Sequence, residues 1–183
     1  MTISAQQAAE VLAAADLIYD SQQIEQALDQ MALEISDRLA TRDPLVLCVM
    51  NGALIPTGQL LTRLSFPLRH DYIHATRYRG GTSGSELEWK GHPSASLAGE
   101  TILIVDDILD HGITLAAIVE ACRDAGAEEV LSAVLVEKRH DRGIGFKADF
   151  VGLQVEDRYV FGYGMDYKGY HRNAAAIYAL PES

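Results

Sequence analysis

The residues best equipped for chemistry fall in one run, Ile102-Leu103-Ile104-Val105-Asp106-Asp107-Ile108-Leu109-Asp110-His111-Gly112-Ile113-Thr114. An apolar stretch of strand type, from Thr101 to Val105, leads straight into two adjacent carboxylates. That order predicts the carboxyl edge of a buried strand, where open α/β sheets bind ligands. Adjacent acids at such an edge can hold sugar hydroxyls or a cation. The turn carrying Asp110, Gly112 and Thr114 then enters a helix, so backbone N–H groups and a hydroxyl can converge on a phosphate at the helix N-terminus. One acid alone reads as a loop or cap residue; the whole arrangement reads as a site.

Other clusters argue less. Gly143-Ile144-Gly145-Phe146-Lys147-Ala148 has the GxGxxG/A spacing of a dinucleotide fingerprint, but it follows the charged stretch KRHDR instead of a buried strand. His70 and His74 have the spacing of a helical zinc pair, yet HDYIHA reads as a strand and no third ligand is evident. Lys138, Arg139, His140 and Arg142 form a basic cluster of the kind that is usually a solvated turn. Its position beside the sheet edge singles out Lys138 alone.

These residues need a scaffold, and 183 residues of 20.0 kDa suffice for one domain with a real core. Hydrophobic residues at 48% and charged residues at 22% are globular values, which excludes a disordered or collagenous chain. A formal charge of −11 disfavours general binding to nucleic acid or an anionic membrane. The N-terminus lacks a basic n-region, and nowhere do about 18 apolar residues run together, so neither export nor a membrane span is expected. Cys48 and Cys122 lie in apolar segments without CxxC spacing and read as core thiols of a cytoplasmic protein.

The elements follow from periodicity. Ser4 can cap a helix to about Ala15, Leu17 to Tyr19 is a short extended piece, and Ser21 can cap a helix whose Ile24, Leu28, Met31, Ile35 and Leu39 share one face. Leu45 to Met50 is a buried strand, Asn51-Gly52-Ala53 a turn, and Ile55 to Leu64 a helix. The pattern repeats with Thr101 to Val105, a loop, a helix from about Leu115 to Ala125, and a strand from Val130 to Val136. Strands apolar on both faces, alternating with amphipathic helices, give an α/β class: a parallel-sheet core with helices on both faces. Between Phe66 and Trp89 the alternation suggests an exposed antiparallel strand running into a mobile surface loop around 77–90, rich in Gly and Ser. FVGLQV, YVFGYG and the tail AAAIYAL supply further short strands.

ILIVDDILDHGIT resembles the phosphoribosyl diphosphate (PRPP) motif of the type I phosphoribosyltransferases, and VEKRHDRGIGFKADFVGLQVEDRYVFGYGMDYKGYHRN resembles the purine-binding half of that family's hypoxanthine-guanine branch. The resemblance covers nearly the whole chain. It implies a single domain over 1–183, with a hood subdomain built largely from 150–183 plus N-terminal residues. It also implies transfer of the 5-phosphoribosyl group from PRPP to hypoxanthine or guanine, giving IMP or GMP and pyrophosphate, with Mg2+ as cofactor. By the same match Asp106 and Asp107 contact the ribose hydroxyls, Asp110 is the proton partner of purine N7, and His111, Gly112, Ile113 and Thr114 wrap the 5′-phosphate. Lys138 would donate to the 6-oxo group, Tyr159 would stack on the purine, and Val160 and Met165 would lie against it. Asp166 would touch the purine and bind magnesium. Asn51, Gly52 and Arg172 would bind pyrophosphate, with a non-proline cis peptide between Met50 and Asn51, while Arg77 and Tyr78 would open a lid loop. A homodimer or homotetramer is implied.

This chain departs from the family at four points, one being Arg77-Tyr78, which occupies the place of the Ser-Tyr often seen at the start of the mobile loop. Many relatives carry Lys at Asn51, Thr at His111 and Lys at Ile113. Backbone N–H groups can still form the anion nest there. Two other classes compete. A regulatory protein that binds PRPP or a nucleotide as a signal would not need Asp110, Lys138 and Asp166 together, and a magnesium phosphohydrolase would need a DxDx nucleophile that Asp-Asp-Ile-Leu-Asp does not supply.

Overall fold

The computed structural model describes residues 3–77 and 87–181. Ser4 opens helix α1 (Ala5–Ala14) through a reciprocal cap: its hydroxyl accepts from the Gln7 backbone, and the Gln7 side chain accepts from the Ser4 N–H. After strand β1 (Asp16–Tyr19) comes α2 (Ser21–Leu39). Its cap is Asp20 and not the expected Ser21, the carboxylate accepting from the Gln23 N–H at 2.8 Å. Asp and Ser cap equally well, so position decided between them. The expected face of Ile24, Leu28, Met31, Ile35 and Leu39 is buried throughout, worth about 1.5–3 kcal/mol per large apolar side chain before entropy.

The rest of the chain runs β2 (Leu45–Val49), α3 (Leu54–Leu61), β3 (Arg69–Arg77), β4 (Leu87–Gly91), β5 (Thr101–Leu109), α4 (Ile113–Asp124), β6 (Glu129–Arg139), β7 (Phe150–Glu156), β8 (Val160–Phe161) and β9 (Ile177–Ala179). Six strands form the main sheet in the order β4-β3-β2-β5-β6-β7, parallel from β3 to β7. Alternate side chains of β2 and β5 feed two cores. Val46, Leu103 and Val105 pack with α2 and α3, while Leu45, Leu47, Ile102 and Ile104 pack with α4.

Three expectations shift. The segment read as exposed antiparallel is β3, which is parallel to β2 and antiparallel only to β4, because α3 crosses over and returns the chain in the same direction. Residues 87–90, expected in the loop, belong to β4, while Tyr78 and the remainder of 78–86 lie outside the described residues. The β5–β6 ladder, with Asp106 opposite Val134 and Leu109 opposite Glu137, extends both strands beyond their apolar runs. Asp106, Asp107 and Lys138 therefore stand on strands and not in loops.

A second sheet, β1-β9-β8, is antiparallel and three-stranded. The FVGLQV strand, expected in the hood, is β7 and lies at the edge of the main sheet. Side-chain contacts tie this end of the molecule to its surroundings. The Tyr19 hydroxyl donates to the Gln154 carbonyl at 2.7 Å, and His171 Nε2 lies 2.7 Å from the Ala8 carbonyl.

Candidate active site

At the carboxyl edge of β5, Asp106 is only 9% exposed. Asp106 Oδ1 accepts from the Asp107 N–H and Asp107 Oδ1 from the Ile108 N–H. Burial pushes both carboxyls up, Asp106 the further because the Asp107 charge adds to it. Against Asp107 the Arg172 guanidinium pulls in the opposite direction. A partly buried acid pair of this kind suits ligand hydroxyls, which donate without adding charge.

Beside the pair lies the turn after β2. The Met50–Asn51 peptide is cis, as the resemblance implied, Asn51 is exposed and Gly52 is buried. A Cβ on Gly52 would meet Asp107 Oδ2 at 1.9 Å, and one on Gly164 would meet the Gly52 carbonyl oxygen at 2.0 Å. Both glycines are required by close approach, and together they seat the turn between the acids and the hood.

Gly112, at φ 80°, is the cap residue of α4 and has no side chain to close the first turn. The opening N–H groups of a helix have no intrahelical partners, which is what an anion nest needs. Asp106, Asp110, His111, Gly112, Ile113 and Thr114 line a cleft of about 200 Å³ at this helix end. The Gly143–Gly145 loop buttresses it from outside, Ile144 N–H donating to the His111 carbonyl at 3.1 Å. The glycine pattern there props the turn before α4 and opens no helix.

Asp110 sits where the edge and the turn meet. Its Oδ2 accepts from Lys138 Nζ at 3.1 Å, and its Oδ1 lies 2.7 Å from His140 Nε2 and 3.1 Å from His111 Nδ1. Partial burial pushes its carboxyl up, but the His140 and Lys138 donors outweigh this and hold it below the ordinary carboxylate range. Asp110, His111 and His140 offer ligand atoms within 4.8 Å of one another. However, His140 Nδ1 accepts from the Arg142 backbone N–H at 3.2 Å, whereas a metal-bound histidine donates from its second ring nitrogen. The trio is thus a hydrogen-bonded cluster. Sequence reasoning passed over His140 by assigning it to a solvated turn. The available signal was alternation: two residues beyond Lys138 on an extended chain, it faces the same way.

The hood supplies the remaining candidates. Tyr159 is 48% exposed and its hydroxyl donates to the Asp166 carbonyl at 3.1 Å. The Tyr159 carbonyl accepts from Leu180 on the β9 side, so strand alternation turns the backbone groups of Val160 toward the free edge of the small sheet. Met165 is buried in the core, with both its backbone groups bonded to Gly162. Asp166 Oδ1 accepts from Arg172 at 2.5 Å and Oδ2 from the Gly169 N–H at 2.7 Å. A carboxylate offers about four acceptor positions, so these two bonds leave capacity for a hard cation such as Mg2+. Arg172 also donates to the Gly164 carbonyl at 2.7 Å, bracing the hood segment that packs on the Gly52 carbonyl. By contrast, His70 and His74 lie on β3, about 13 Å apart along a strand, and form no pair.

The family model for the phosphoribosyl transferase domain matches residues 14–168. The hypoxanthine-guanine phosphoribosyltransferase of Bacillus subtilis (strain 168) is 31% identical over 90% of this chain and 92% of its own. The chain belongs to the hypoxanthine-guanine phosphoribosyltransferase family. The hypoxanthine-guanine-xanthine phosphoribosyltransferase of Tritrichomonas foetus is 30% identical over 91% of this chain and 92% of its own. Among solved structures, a ternary substrates complex of Trypanosoma cruzi hypoxanthine phosphoribosyltransferase superimposes with a TM-score of 0.85 at 27% identity, covering 92% of this chain and 96% of that one. Membership in this transferase family agrees with an open helix N-terminus, an acid pair and a Lys–Asp pair at one sheet edge.

Proposed function

We propose that this protein transfers the 5-phosphoribosyl group of PRPP to N9 of hypoxanthine or guanine, giving IMP or GMP and pyrophosphate in purine salvage. The observation that carries this reading is the 3.1 Å contact between Lys138 Nζ and Asp110 Oδ2, beside the phosphate turn and across 28 residues of sequence. In this reading Lys138 donates to the 6-oxo group and Asp110, beside it, accepts the N7 proton. Asp106 and Asp107 hold the ribose hydroxyls, and the turn from His111 to Thr114 holds the 5′-phosphate. Asn51, Gly52 and Arg172 receive the pyrophosphate. Tyr159 covers the purine, Val160 meets its pairing edge, and Met165 supports that wall from the core.

In the reaction the C1′–N9 bond forms as the bond from C1′ to pyrophosphate oxygen breaks, its electron pair leaving on oxygen. The N7 proton passes to Asp110. Oxocarbenium character at C1′ calls for positioning and charge compensation more than for a covalent nucleophile. Magnesium, which Asp166 would hold, supplies charge neutralisation of the diphosphate when bound. Local cations and N–H groups also explain how a chain of net charge −11 accepts a polyanion. A homodimer or homotetramer in the cytoplasm fits this reading, and both cysteines are free and buried. Among the described residues no helix is long and apolar enough to cross a membrane.

Purified protein with PRPP, Mg2+ and each base in turn tests the proposal. Nucleotide and pyrophosphate should accumulate in equal amounts with hypoxanthine and with guanine. PRPP binding without either product would point to a regulatory binder and end the enzymatic reading.

A further inference from the structure

Asp110 is held on three sides. From β6 come Lys138 and, just past the strand end, His140, while His111 leans in from the turn. Glu137, Asp141 and Lys147 line the same cleft. His140 differs from the other two partners in being buried, its side chain 6% exposed against 12% for Lys138 and 39% for His111. Its hydrogen bonds also define its state. Nδ1 accepts the Arg142 N–H and so carries no proton, which leaves the proton on Nε2, pointing at Asp110 Oδ1 2.7 Å away.

We propose that His140 is a positioning residue for phosphoribosyl transfer: its ring, fixed in the Nε2–H tautomer by the Arg142 backbone, retains Oδ1 of Asp110 while Oδ2 is handed from Lys138 to the purine N7 proton. The inference rests on the purine-transfer reading of the site. The Lys138 ammonium carries three N–H groups on a flexible stem, and when it draws toward a 6-oxo group its bond to Asp110 Oδ2 loosens. Without a buried anchor the carboxylate would then be held on Oδ1 by the more exposed His111 alone at the moment it must accept a proton. His140 supplies that anchor from a buried ring, which has few alternative rotamers. The His111 ring, 5.1 Å from that of His140, closes the open side of the cluster.

The test compares wild type, His140→Leu and His140→Gln, the last keeping an N–H donor. It measures single-turnover rates with saturating PRPP, Mg2+ and hypoxanthine, the PRPP KM, and the pH dependence of kcat/KM. His140→Leu should lower the single-turnover rate about 10-fold or more, within the range for perturbed acid–base groups. Its PRPP KM should change less than about twofold, because uniform substrate binding is untouched. The acidic limb of its pH profile should move up, since Asp110 loses a donor to its charged form, and His140→Gln should recover most of the rate. A Leu variant with wild-type rate and pH profile overturns the proposal, as does a Gln variant no better than Leu. Should the Leu variant fail to fold, 15N shifts of the wild-type ring decide: a protonated Nε2 and bare Nδ1 at pH 8 support the role, and the reverse tautomer ends it. If wild type itself makes no nucleotide, the enzymatic reading has failed, whereas an active wild type with an unaffected Leu variant faults His140 alone.

Discussion

The Asp107 carboxylate lies directly over Gly52, where a Cβ would stand 1.9 Å from Oδ2 and 2.9 Å from Oδ1. The acid and the turn are thereby packed into one surface, with no room for a side chain between them. Gly52→Ala should keep the fold but displace Asp107, weakening PRPP binding and lowering kcat/KM by about 10-fold or more for a misplacement on the scale of 1 Å. Titration of PRPP with Mg2+ by calorimetry checks this. Unchanged affinity in a folded variant would mean that the turn and the acid are independent.

Asp110→Asn keeps the shape and removes the basicity. It should lower the rate of the chemical step about 10²-fold or more while leaving PRPP affinity nearly intact. Because the His140 and Lys138 donors hold the Asp110 carboxyl low, the base form persists as the medium is acidified. The acidic limb of wild-type kcat/KM should therefore lie below the ordinary carboxylate pKa of about 3.9, as far as the protein stays folded. An Asn variant with wild-type single-turnover rate would remove Asp110 from the chemistry.

Lys138 can only donate, so it suits a 6-oxo group and leaves a 6-amino group facing another donor. Adenine should be a very poor substrate, and Lys138→Met should lower kcat/KM for hypoxanthine. Equal use of adenine and hypoxanthine by wild type would contradict this account.

Tyr159 offers an exposed ring beside Tyr167, the two edge to face at 5.5 Å. Tyr159→Leu should weaken IMP binding by about 1–3 kcal/mol, the scale of base–aromatic stacking, with little change in melting temperature. Loss of folding without selective loss of affinity would identify a structural tyrosine instead.

Asp106 bears on stability in the opposite sense to Asp110. Its raised native pKa means that its favourable contribution is present below the unfolded carboxylate pKa and is lost as pH rises through the native value. Asp106→Asn should accordingly abolish or sharply reduce activity yet raise the melting temperature at pH 7 to 8, with the gain shrinking toward pH 4. Calorimetric scans across that interval give the answer, and a variant less stable than wild type at pH 8 would refute the desolvation argument.

The sequence by itself determined the α/β alternation, the buried face of α2, and the acid pair followed by a glycine turn into a helix from Asp106 to Thr114. These are local signals: side-chain period, a glycine-containing turn before a helix, and apolar runs flanked by turns. Resemblance to a family carried Lys138, Tyr159, Asp166 and Arg172 to their positions, and the structure brings Lys138 to Asp110 and Arg172 to Asp166. Only the tertiary structure decided that β7 joins the main sheet, that β5 and β6 run on to carry Asp107 and Lys138, and that His140 belongs to the site. Strand order and ladder length depend on which distant segments pair, and the two β6-side partners of Asp110 lie 28 and 30 residues away in sequence. A local pattern records which way a side chain faces along its own strand. What it meets there is fixed by the neighbouring strand, so His140 reads as a solvated charge until β5 is placed beside β6.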